Sequence, residues 1–113
     1  MTNLAINDET FARLQRLAEA QHIPADTLAD RAIQKFLNAQ ARRQMQSETE
    51  AFRALHPTLL ATYPNQYVAV HGGQLVDHDP DQLAVFTRVE KQWPSQVVLI
   101  AQVVSAVEEV YTV

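Results

Sequence analysis

The chain has no cysteine among its 113 residues. That absence excludes a disulfide framework and any thiolate-based zinc site. Glycine occurs only at Gly72 and Gly73, and no Gly-Lys-Ser/Thr follows the pair, so there is no phosphate-cradling loop. No apolar run approaches the ~18 residues of a membrane-spanning helix. The opening stretch, MTNLAINDET, lacks the basic start and apolar core of a secretory leader. A cytoplasmic location is therefore expected, with no membrane partner. Positive charge is also scarce, with nine Lys/Arg against thirteen Asp/Glu and a formal charge of −4. A generic polyanion binder is disfavoured, because such affinity comes from counterions released by Lys and Arg.

What is present suffices for a folded core, since 47% of the residues are apolar. Charge is unevenly divided. Residues 1–56 carry seven basic and seven acidic side chains, whereas residues 57–113 carry two and six. The asymmetry predicts two units with different roles. The expected fold class is α+β, with a β-α-α module over residues 1–40, a helical linker over 41–63 and a β-β-α-β unit over 64–113.

The local patterns support that division. Leu4 and Ile6 alternate with Asn3, Ala5 and Asn7, which predicts a short strand. Asn7 or Asp8 caps a helix striped by Phe11, Leu14, Leu17 and Ala18. His22-Ile23-Pro24 breaks it, and Pro24 suits the first position of a second helix striped by Leu28, Ala32, Ile33, Phe36 and Leu37. Residues 40–50, QARRQMQSETE, are either a solvated continuation or a linker. Ser47 and Glu50 have the spacing of a capping box for a further short helix ended by Pro57.

A β-α-α segment of about 40 residues is too small to fold alone without a staple. With no metal motif and no disulfide, the available staple is a second copy. Its strand would pair with the first, and Leu4, Ile6, Phe11, Leu14, Leu28, Ile33 and Phe36 would form the shared core. The stretch NLAINDETFARLQRLAEAQHIPADTLADRAIQKFL resembles the ribbon-helix-helix (Arc/MetJ-like) family of small repressors and antitoxins. The resemblance implies that outward strand residues enter the DNA major groove. By position these are Asn3, Ala5 and Asn7, with Arg13, Arg16 and Arg31 as candidate phosphate contacts. Asparagine can pair with adenine, but Ala5 offers only a methyl group. Pro24 stands where the family usually carries a small hydroxyl residue near a phosphate, and it has no N–H to give.

In the second unit, QYVAVH and QLVDH flank the glycine pair, the signature of a two-residue hairpin. A two-residue loop predicts His71 opposite Gln74, Ala69 opposite Val76 and Tyr67 opposite His78. His71 and His78 would then share a face some ~13 Å apart, too far for one ion. Asp79-Pro80 reads as the start of a helix striped by Leu83, Phe86, Val89 and Trp93. VVLIAQVV reads as a buried strand, and VEEVYTV as an edge strand. The segment 60–104 is similar to a small bacterial and archaeal domain family of unknown function. No serine lies near a histidine in a nucleophilic pattern, and His22 and His56 adjoin expected helix ends as caps. No catalytic residue, metal site or cofactor is expected, and the chain is not expected to be an enzyme. Two functions remain: a homodimeric DNA-binding transcriptional regulator or antitoxin-like protein with an acidic partner-binding unit over 64–113, or a scaffold that uses its first module only to dimerise.

Overall fold

A computed structural model describes residues 4–105. The element order is α1 (Asp8–Gln21), α2 (Ala25–Thr62), β1 (Tyr67–His71), β2 (Gln74–Asp79), α3 (Gln82–Gln92) and β3 (Leu99–Gln102). The chain is α+β, and it divides into two compact units, residues 1–40 and 41–113. The division falls within α2.

Unit 1 holds α1 and the first part of α2. Asn7 caps α1, its side chain accepting from the Glu9 and Thr10 amides at 2.9 and 3.4 Å. Asp8 and Glu9 then sit at the positive end of the helix dipole. His22 ends α1 in the left-handed conformation (φ 57°), where Gly or Asn is usual, and the Ile23 amide closes back on the Ala18 carbonyl. Pro24 precedes α2 rather than entering it, and its carbonyl accepts from Leu28 at 3.1 Å. Residues 4–7 form no strand within the single chain, because a strand needs a hydrogen-bonded neighbour and these residues have none among the described residues.

Of the two readings of residues 40–50, the helical continuation holds: α2 runs through them and does not restart at Ser47. That stretch is rich in Ala, Arg, Gln, Met and Glu, strong helix formers with no Gly or Pro. The Thr49 hydroxyl is absorbed by bonding back to the Met45 carbonyl at 2.9 Å. Pro57 lies inside the helix, which costs about 3 kcal/mol. Packing offsets this. Phe52 and Leu59 are both buried on either side of it, each contributing roughly 1.5–3 kcal/mol.

Unit 2 is a three-stranded antiparallel sheet of order β2-β1-β3 between the second part of α2 and α3. Phe52 and Leu59 of α2 pack on Val68, Val70, Leu99, Ala101 and Val103. Val85 and Val89 of α3 pack on the other face, against Ala69, Val98 and Ile100. The β-β-α-β order is the expected one, but three details differ. Helix α3 starts later, capped by Asp81 rather than Asp79, with the Asp81 side chain accepting from Leu83 at 3.1 Å. Its buried stripe is Val85–Val89, with Trp93 half-buried beside it, whereas Leu83 and Phe86 are exposed. Finally, β2 carries a bulge. Ala69 faces Asp77 and Val70 faces Leu75, leaving Val76 as the extra residue. The expected tail strand lies outside the described residues.

Candidate functional site

The residues expected to mediate pairing and DNA contact fall in unit 1. Asn3 lies outside the described residues. Ala5, Arg13, Arg16 and Arg31 are exposed. Arg31 and Lys35 border a shallow groove with Gln21, Leu28 and Asn38. Asn7 is also exposed, but its side-chain oxygen already serves the two amides it caps. The expected shared core is uncovered in the single chain. Leu4, Ile6, Phe11, Ile33 and Phe36 are exposed, as are Leu17 and Leu37, while Leu14 and Leu28 are half-buried. Among the described residues of unit 1, only Ala18 is buried. A pair of helices with one buried alanine has no core of its own. Its apolar side chains Phe36, at 60% exposure, and Leu37, at 57%, form a contiguous exposed run on α2.

Unit 2 contains a constellation the sequence reading missed. Glu48 of α2 is a carboxylate at 1% exposure. Its two oxygens accept the backbone amides of Gly72 and Gly73 at 2.6 and 2.8 Å. Both glycines have positive φ, 61° and 77°, so the tight turn presents successive N–H groups to one acceptor pair. His71 stands beside them. Its Nδ1 donates to the Val97 carbonyl at 2.8 Å and lies 3.8 Å from Glu48 Oε2, too long for a hydrogen bond. The Gln44 side-chain amide reaches the same Val97 carbonyl at 3.5 Å, and the Trp93 ring lies 5.4 Å from the His71 ring. With each oxygen engaged by a backbone amide, Glu48 holds the hairpin to α2.

The bulge puts on opposite faces the two histidines that the simple register placed on one face. His78 now faces Val68 and stacks on Tyr63 of α2, with ring centroids 4.0 Å apart. Its Nδ1 donates to Gln66 Oε1 at 3.1 Å. Asp77 faces Ala69 and meets α3. Arg88 donates to it bidentately, Nε at 2.8 Å and Nη2 at 3.1 Å, and Nη2 also reaches Asp79 at 3.3 Å. The Asp81 amide donating to Asp79, with Arg88 beside it, holds the Asp79 carboxyl below the usual carboxylate range despite an opposing effect of burial. His56 is no helix cap. It is buried within α2, edge-on to Phe52, and donates through Nε2 to the Val104 carbonyl at 2.6 Å.

Among the described residues, no cluster of three or more His, Asp or Glu is arranged to hold a metal ion, and no helix is long and apolar enough to cross a membrane. In unit 2 Glu48 ties α2 to the β1–β2 turn, and Arg88 ties α3 to β2. The exposed apolar side chains Phe11, Leu17, Ile33, Phe36 and Leu37 lie in unit 1. No curated protein and no solved structure matches the chain. Residues 58–104, which span the end of α2 through β3, match a family of unknown function (DUF5678), in line with the resemblance read from their sequence.

Proposed function

We propose that the protein is a homodimeric, ribbon-helix-helix-type DNA-binding regulator or antitoxin-like protein. In this reading residues 2–6 of two copies pair as a ribbon, and unit 1 supplies the dimer core. One observation carries the reading: Phe11, Leu17, Ile33, Phe36 and Leu37 stand exposed around a two-helix unit whose only described buried residue is Ala18. The pattern of NLAINDET supports the ribbon, with Leu4 and Ile6 directed to the core and Asn3 and Ala5 to the groove. Arg13, Arg16 and Arg31 are exposed and available for phosphates. The acidic second unit would engage a protein partner.

A specific observation favours a second reading, a dimeric scaffold that binds no DNA. Asn7 is committed to its helix cap, and the residue before α2 is Pro24, which has no amide to offer a phosphate. A titration of the full chain with mixed-sequence duplex DNA at rising salt separates the two. A regulator shows affinity that falls steeply with salt, and Asn3→Ala relaxes its base preference. A flat response even at low salt removes the DNA-binding reading and leaves the scaffold.

A further inference from the structure

Within unit 1, helix α2 carries two faces of different chemistry. At ~100° per residue, Arg31, Lys35 and Asn38 fall within about 60° of one another around its axis. Ile33, Phe36 and Leu37, the exposed apolar residues of the same stretch, fall on the opposite side. The first face borders a groove of about 570 Å³, which Gln21 of α1 also lines. Arg31, Lys35, Asn38 and Gln21 are all exposed. Among the described residues, the lining holds two cations, three side-chain amides and no carboxylate. The neighbouring carboxylate, Asp30, accepts from the Gln34 side chain at 3.2 Å. Leu28, half-buried, and Ala32 are the apolar residues of the lining, too little to seat the large side chain that anchors a protein partner.

We propose that this groove is a phosphate clamp, in which Arg31 and Lys35 neutralise neighbouring phosphates of one DNA strand while Gln21 and Asn38 donate to their oxygens. The clamp rests on the DNA-binding reading of unit 1 and gives that reading a backbone contact. Three features support it. The chain as a whole carries −4, so a polyanion must find a place where cations stand without carboxylates, and this groove is one. Arg31 and Lys35 are about one helical turn apart, roughly 6 Å along the axis, and a duplex strand offers one phosphate per ~3.4 Å of rise. Pairing of two copies through Ile33, Phe36 and Leu37 would leave the opposite face of α2 uncovered, so each protomer of the proposed dimer keeps its groove open. Contacts of this kind fix position and add affinity, but they read no base.

The experiment titrates duplex DNA at rising salt with the full chain, with Arg31→Gln/Lys35→Gln and with Lys91→Gln, which removes an exposed cation of α3. Glutamine matches Arg and Lys in helix propensity and removes the charge. The double variant should bind about tenfold or more weakly at low salt, and its log–log salt slope should be shallower by about 1.8 per protomer. Its base preference and its sedimenting mass should match the wild type, and Lys91→Gln should leave the slope unchanged. A wild type that binds DNA with the same slope as the double variant overturns the clamp and leaves the DNA-binding reading standing. An equal change in Lys91→Gln also overturns it, because net charge alone would then be responsible. Poly-glutamate bound as tightly as the duplex, and lost in the double variant, overturns it in favour of an acidic protein segment. A wild type with no affinity for DNA at low salt removes the reading and the clamp together.

Discussion

Replacing Glu48 with alanine should loosen the hairpin of unit 2, and the size of the effect can be worked from its contacts. The carboxylate accepts two backbone amides at 2.6 and 2.8 Å. A hydrogen bond to a charged group contributes about 1.5–3 kcal/mol, so the pair is nominally worth about 3–6 kcal/mol. Two effects reduce that figure. Gly72 and Gly73 are exposed, so their freed amides can turn to water. Removing Glu48 also relieves the cost of keeping a carboxylate at 1% exposure. The net loss expected for Glu48→Ala is therefore about 2–3 kcal/mol. Glu48→Gln keeps one acceptor and sets an NH2 group against the other amide, so it should recover less than half of that loss. Urea unfolding followed by the fluorescence of Trp93, the single tryptophan, reads this directly, because its ring lies 5.4 Å from His71 at the base of the turn. A Glu48→Ala midpoint equivalent to a loss under about 0.5 kcal/mol would refute the claim that this carboxylate fastens the hairpin.

Other outcomes follow from the same geometry. Gly73→Ala places a Cβ in open space at φ 77°, so only backbone strain opposes it, and a loss of about 1 kcal/mol in the same unfolding assay is expected. Asn7→Ala removes the α1 cap and should cost about 1 kcal/mol, seen as lower helicity and a lower melting temperature by circular dichroism. Arg88→Met should raise the Asp79 carboxyl toward its ordinary value without restoring it, because the Asp81 amide remains in place and is the larger influence. Since the native Asp79 carboxyl titrates lower than in the unfolded chain, its stabilising effect is present above the unfolded value. It fades as pH falls through the native one, and carboxyl NMR titrations of wild type and Arg88→Met test both statements.

Much of unit 2 was legible in the sequence because its signals are local. The Gly72-Gly73 pair, the alternation on either side of it and the apolar run before Gln102 place β1, β2 and β3 without knowledge of their neighbours. The bulge at Val76 was not legible, since nothing in QLVDH distinguishes a continuous strand from one with an extra residue. That single insertion moved His78 to the face opposite the one expected. The same limit governs α2. Pro57 is a strong local stop signal, yet the buried side chains of Phe52 and Leu59, contacts made only in the fold, override it. Glu48 did leave a trace. It stands four residues before Phe52 and eleven before Leu59, an acidic residue on the apolar stripe, and such a placement points to a specific acceptor role. In unit 1 the stripe was readable, and Phe11, Leu17, Ile33, Phe36 and Leu37 stay exposed in the single chain; the proposed dimer would cover them.

The account depends most on that missing cover. Sedimentation equilibrium of the full chain across the micromolar range tests it, with Phe36→Asp as the control that places a charge on the exposed face of α2. The prediction is a species of twice the 12.7 kDa chain mass for the wild type and a shift toward the single mass for the variant. A wild-type chain that sediments throughout as a folded species of one chain mass would contradict it.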